Sequence, residues 1–267
     1  MDNFFRVANI KIRSRIMTTK TLKAIGFNSI PIIKPGDNLA RIILEAIREC
    51  EFNLKDGDIL VIASKVVSKA EGRLRSISEI KISERAKEIA KRNGFDPVHV
   101  ELALQEASEV VNDDGVLITS SHLGFICNFS GVDKSNAPKD KYVLLPKNPD
   151  QSAETIRQIL MKETNRTLAV IIADTQGRPW RKGAVNVAIG CAGINAFKHN
   201  KGKSDLYGRI LKRSSVCHID ELASFAEPLM GQAGERIPVV IIRGYEFSEG
   251  SEKARNIIRS KEENMFR

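Results

Sequence analysis

L-A-V-I-I-A-D-T-Q-G-R-P-W-R-K, residues 168–182, opens apolar and then turns abruptly polar. Such an unbroken apolar run predicts a strand over Leu168–Ala173 buried on both faces. Asp174 stands at its carboxyl end, with Thr175 beside it and a glycine turn expected at Gly177. A carboxylate in that position suits a divalent cation, and the Thr175 hydroxyl offers a second oxygen ligand. Arg178, Arg181 and Lys182 are candidates for phosphate oxygens. Taken alone, the stretch fits an ordinary strand exit with solvated charges equally well, and Trp180 fits packing as readily as contact with a ligand ring.

Working outward, Ile25–Ile33, Ile59–Ala63, Val116–Thr119, Phe125–Asn128, Tyr142–Leu145 and Pro238–Arg243 read as strands. Residues 184–197 alternate small and apolar side chains, as strand, turn and strand would. Helices are expected after Asp37, from Ser83 to Gly94, from Asp96-Pro97 to about Val110, from Asp150 to about Thr164, over Asp220–Phe225, and from about Glu252 onward. Ser64–Gly72 reads as a loop or short helix. Strands and helices mix without strict alternation, which argues against a simple doubly wound fold.

The composition is that of an ordinary globular chain of 267 residues. No apolar run approaches the ~20 residues that span a bilayer, so no membrane role is expected and a cytoplasmic location is. Cys50, Cys127, Cys191 and Cys217 form no C-x-x-C pair and read as reduced thiols in or near the core. The net charge of +9 raises the possibility of RNA binding, but residues 1–23 hold six cations against Asp2 alone, leaving a surplus of only four beyond them. The later cations sit among acids or in glycine loops without interleaved aromatics, which disfavours a nucleic-acid partner and suits an anionic small molecule. Residues 1–16 read as an extension: a transit peptide, a disordered tail or a start assigned too early all fit. A chain begun at Met17 is expected to fold and stay active, as circular dichroism and a turnover assay will show.

Three further segments can carry chemistry. G-V-D-K-S-N (131–136) offers an acid, a hydroxyl and an amide, either as an Asx-rich turn or as a second metal-binding loop. Ser64–Arg73 follows a buried strand with Lys65, Lys69 and Arg73; it lacks the Walker pattern but could cradle phosphates, or it is a solvated helix face. Met230–Pro238 has glycines that admit a ligand close to the backbone, and Gln232 carries an amide oxygen, although a plain connector is the simpler reading. His99, His122, His199 and His218 have no motif partner.

Together with I-P-I-I-K-P-G-D-N (30–38), D-G-D-I-L-V-I-A-S-K-V-V-S-K-A-E-G-R (56–73) and S-D-L-Y-G-R (204–209), these segments resemble the coenzyme F420-0:L-glutamate ligase, or F420-0 gamma-glutamyl ligase, family from about Ile25 to Gly250. Phe129 and Gln176 depart from its usual pattern. The resemblance implies an α+β subunit with largely antiparallel or mixed sheets in an intertwined homodimer. It implies a stand-alone catalytic region over 17–267, built as one unit or as two intimately packed subdomains. It implies an enzyme that uses GTP and divalent metal, two Mg2+ or Mn2+ ions with K+ a further candidate, to join L-glutamate to coenzyme F420-0. Metal positions fall on Asp133, Asp174, Thr175 and Gln232. Nucleotide positions fall on Ile30, Pro31, Ile32, Ile33, Ser64, Lys65, Lys69, Asn136, Met230, Gly231, Gln232, Ala233, Gly234, Glu235, Arg236 and Ile237. Asp133, Asp174 and Lys69 are the catalytic candidates. A paralogous GTP-dependent ligase for another amino acid or acid acceptor would share this site chemistry.

Overall fold

A computed structural model describes residues 19–265; the expected extension over residues 1–16 lies outside them. In chain order the elements are β1 (Lys23–Phe27), α1 (Leu39–Glu49), β2 (Asp58–Ala63), α2 (Ser64–Ala70), β3 (Leu74–Ser76), α3 (Glu84–Asn93), α4 (Pro97–Glu106), β4 (Ala107–Asn112), β5 (Ile118–Ser121), β6 (Ile126–Asn128), β7 (Lys141–Val143) and α5 (Pro149–Thr164). They continue with β8 (Leu168–Arg178), β9 (Arg181–Ala192), β10 (Lys198–His199), β11 (Ser215–Val216), α6 (His218–Met230) and β12 (Val239–Arg243).

The main sheet has the order β1-β12-β2-β8-β9. Only β2 and β8 run parallel within it; its other neighbours are antiparallel. The fold is therefore α+β with mixed sheets. Leu60, Ile62, Val170, Ile172, Val239 and Ile241 face α1 and α5. Their alternates Ile59, Val61, Ala169, Ile171, Val240 and Ile242 face α6. Helices thus cover both faces, and this is why these strands read as unbroken apolar runs. Residues 64–167 form the crossover from β2 to β8, and they include smaller cores packed around α3, α4 and β7.

Several expected elements differ. The first strand stops at Phe27 instead of reaching Ile33; it is an edge strand paired only with β12, and Pro31 cannot donate to a ladder. Asn38, not Asp37, caps α1 by accepting from the Arg41 amide, while Asp37 closes the preceding turn on the Lys34 amide. The expected helix gives way at Ala107 to β4, where pairing with β5 outweighs local helix preference. Instead of a turn at Gly177, β8 continues to Arg178 and makes a hairpin with a single strand, β9. Near the C-terminus the amphipathic helix is only a short 3-10 turn, Ala254–Ile257. The Glu252 carboxylate is used instead to accept the Ala196 and Phe197 amides.

Asp150 does not cap α5; Asn148 does, with Pro149 at the first helical position. Asp150 is buried and accepts the Cys191 and Ala254 amides, tying α5 to β9 and to the C-terminal segment. The close approach needs Gly190: an added Cβ would overlap the Pro149 backbone. Backbone cannot rotate away as a side chain can. Gly190→Ala is therefore expected to lower stability by about 2 kcal/mol or more, read from the urea midpoint.

Candidate active site

The parallel pairing of β2 with β8 builds the site. Ala63 sits opposite Ala173 in register, so the next residues, Ser64 and Asp174, emerge side by side. Ser64 opens α2 and donates its hydroxyl to Asp174 Oδ1 at 2.6 Å. Lys65 follows and places its ammonium 2.6 Å from Asp133 Oδ2 and 2.8 Å from Ser135 Oγ. One turn later Lys69 Nζ donates to the Asn136 carbonyl at 2.6 Å. The 131–136 loop is held in shape by an Asx turn: Ser135 donates both its amide and its hydroxyl to the Asp133 carboxylate. The Asp133 backbone exchanges two hydrogen bonds with Val143, which anchors the loop to β7.

The fourth segment closes in from α6. Asn136 Nδ2 donates to the Ala233 carbonyl at 3.0 Å. Gln232 Nε2 donates to Thr175 Oγ1 at 2.9 Å and to Glu227 Oε1. Glu235 folds over Gly231 and accepts the Ala233 amide, which fixes the loop's curvature. Lys65, Lys69, Asp133, Asn136, Asp174, Thr175 and Gln232, drawn from segments far apart in sequence, therefore converge. Ile30 and Ile33 bury their side chains in the core, whereas Pro31 and Ile32 are exposed. Their segment runs alongside α2, with Gly36 donating to the Ala70 carbonyl. Met230 is buried at the end of α6, while Gly234 and Arg236 are exposed in the loop and Ile237 leads into β12.

Asn186 and Glu227 join the site without having been singled out in the sequence. Buried Asn186 accepts the Thr175 hydroxyl at 2.8 Å, and Glu227 orients Gln232. The only sequence signal for Asn186 is a lone amide in an otherwise small and apolar alternation. Arg178 is not brought to the cluster: its guanidinium donates to the Gly183 and Lys182 carbonyls across its own hairpin. Arg181 and Lys182 are exposed in that hairpin, and Trp180 at its tip is 76% exposed. Cys50, Cys127, Cys191 and Cys217 are all free, with Cys50 exposed.

The electrostatics separate the two carboxylates. Burial pushes the Asp174 carboxyl above its ordinary range, and the Asp133 charge adds to this against Ser64 and Lys65. Burial would also raise Asp133, but the Lys65 ammonium and the Ser135 donors outweigh it and hold Asp133 low. Burial and the neighbouring Lys65 charge push Lys69 down. The Cys127 thiol, buried near Asp174, is pushed up to about 12 and is no nucleophile.

Among the described residues no three His, Cys, Asp or Glu side chains form a metal cage of their own. The donors gathered here are hard oxygens: two carboxylates, a hydroxyl and an amide carbonyl. That set fits a Mg2+-like ion, which ordinarily takes one or two carboxylates and completes its shell with water and substrate phosphate. The buried Asp174 carboxylate, beside a second carboxylate and short of positive charge, supports the fit.

The paired carboxylates, two lysines and glycine loop belong to an enzyme, and the sequence profile of F420-0:gamma-glutamyl ligases matches residues 28–244. The chain is thus a ligase. It resembles the coenzyme F420:L-glutamate ligase of Methanothermobacter thermautotrophicus, 45% identical over 251 residues that cover 92% of this chain and 99% of that protein. The like-named protein of Methanocaldococcus jannaschii is 46% identical over 255 residues, 94% of this chain and 99% of its own length. That of Methanopyrus kandleri is 46% identical over 240 residues, 88% and 93%. The chain belongs to the F420-0:gamma-glutamyl ligase family.

Proposed function

We propose that the chain is a GTP-dependent coenzyme F420-0:L-glutamate ligase working through an acyl phosphate. A carboxylate is a poor acyl donor because oxide would have to leave. Transfer of the GTP γ-phosphoryl group to the acceptor carboxylate supplies a better leaving group and releases GDP. The glutamate amine then attacks the acyl carbon, the amide forms and phosphate departs. The protein's part is to position the reactants and neutralise charge.

The convergence of Lys65 and Lys69 with Asp133 and Asp174, beside the end of β2 and the end of the buried part of β8, carries this reading. Lys65 and Lys69 bind phosphate oxygens, and Asn136, Ser64 and the 230–237 loop hold the nucleotide with the Ile30–Ile33 segment. Asp133 and Asp174 would hold one divalent cation, while Thr175 and Gln232 help hold a second; bound cations there would neutralise charge developing on the transferred phosphoryl. Lys65, which pairs with Asp133, would turn towards phosphate where a cation shares that carboxylate.

Leu206 and Tyr207, 100% and 97% exposed at the tip of the β10–β11 arm, support a homodimer, which light scattering will test. The free thiols support a reducing, cytoplasmic setting. No helix among the described residues is long and apolar enough to cross a membrane.

The test is an assay with GTP, Mg2+, L-glutamate and F420-0 whose acceptor carboxylate carries 18O. We expect GDP, phosphate and amide in equal amounts, with one 18O atom in the phosphate. Chelation of the metal is expected to reduce turnover to background. Amide formation with unlabelled phosphate, or turnover unaffected by chelation, would refute the corresponding part of the mechanism.

A further inference from the structure

A cavity of about 260 Å3 is walled by the stretch that follows α2, the end of α4, the end of β5 and the residues after β7. Arg73, only 8% exposed, lines it. Its Nε donates to the Leu145 carbonyl at 2.9 Å and its Nη2 reaches Glu106 Oε2 at 2.6 Å. Neither Arg73 Nη1 nor Glu106 Oε1 has a hydrogen bond among the described residues. The wall also holds Ser121, 3% exposed, whose hydroxyl has no partner although its amide is bonded to the Phe125 carbonyl. A buried hydroxyl left unpaired is uncommon and calls for an explanation. Exposed Lys147 and His122 lie at the rim.

We propose that this cavity binds an α-amino dicarboxylic acid, and that it is the L-glutamate subsite of the enzyme. The identity of the amino acid rests on the ligase reading above; the class of ligand rests on the cavity. Two cations, Arg73 and Lys147, against the single carboxylate of Glu106 favour an anion. A simple anion would leave Glu106 facing like charge, and a simple amine would face Arg73. A zwitterion with one carboxylate more than its ammonium satisfies every group: its ammonium donates to Glu106 Oε1, and its carboxylates accept from Arg73 Nη1, Ser121 Oγ and Lys147 Nζ. The cavity also shares its framework with the phosphate site. Arg73 follows Lys69 by four residues, across the turn that ends α2, and Ser130 in the cavity wall lies just before the 131–136 loop.

The test is Ser121→Val in the full chain, with Lys147→Gln as a second variant at the exposed rim. Titration of each protein with L-glutamate, with and without GDP, reads the pocket independently of turnover. Both variants are expected to weaken glutamate binding, Ser121→Val by about tenfold or more, because each removes a hydrogen bond to a charged ligand. In steady state the KM for glutamate rises while kcat and the KM for GTP hold. Glutarate, which lacks the ammonium, is expected to bind the wild type more weakly than glutamate. Unchanged glutamate affinity in both variants, or no glutamate binding to the wild type, would overturn the proposal, leaving Arg73–Glu106 a structural ion pair beside water. If the wild type binds glutamate here but never turns over, the ligase reading fails and the pocket stands.

Discussion

Asp174→Asn is expected to reduce turnover by about a thousandfold or more while the protein remains folded. The carboxylate lies within β8, just past its buried stretch, beside Ser64 and close to the Asp133 charge. Asparagine has the same shape, and its oxygen can still accept the Ser64 hydroxyl. It removes a buried negative charge, so folding gives up no ion pair with it. What disappears is the charge that would hold a cation against the phosphoryl group. A contribution of about 4 kcal/mol to the transition state corresponds to about a thousandfold in rate. GDP release under saturating substrates measures the first half of the prediction, and thermal unfolding followed by circular dichroism measures the second. Near-normal turnover in a folded variant would remove Asp174 from the mechanism.

The sequence made some of this arrangement readable and hid the rest for physical reasons. Buried strands were legible because helices on both faces leave no polar alternation in Ile59–Ala63 or Leu168–Ala173. The cap at Ser83 and the left-handed stop at Gly94 were legible because each acts within one turn of chain. Asp174 could be singled out because a lone acid after such a run stands out. Its partners could not be read locally, since Ser64 and Lys65 reach it and Asp133 only through the long crossover from β2 to β8. The hairpin that carries β8 past Gly177 depends on pairing with β9, which outweighs the turn preference of glycine. That pairing also explains why Arg178 serves its own hairpin rather than the cluster.

Asp58→Asn is expected to destabilise the whole protein by about 2–4 kcal/mol without altering any group in the site. Asp58 is 1% exposed at the start of β2 and takes both arms of Arg243 from β12, at 2.8 and 2.6 Å. It also accepts the Lys55 amide, which closes the turn leading into the strand. The Asp58 pairing holds Arg243 above even its usual basicity. A buried pair of this kind adds little over an apolar replacement of both partners. Removing one partner, however, leaves the other charged and poorly solvated, a loss of about 3–5 kcal/mol when burial is complete. The Arg243 side chain keeps 24% of its surface in water and its second bond to the Asn53 carbonyl, which reduces the expected loss to the stated range. The urea midpoint should fall accordingly with an unchanged slope. Because β2 positions Ser64 and Lys65 at its far end, activity below the transition should remain close to wild type, and it should collapse with the fold as urea or temperature rises. A variant that unfolds normally but turns over slowly would show instead that strain at Asp58 reaches the site through the strand.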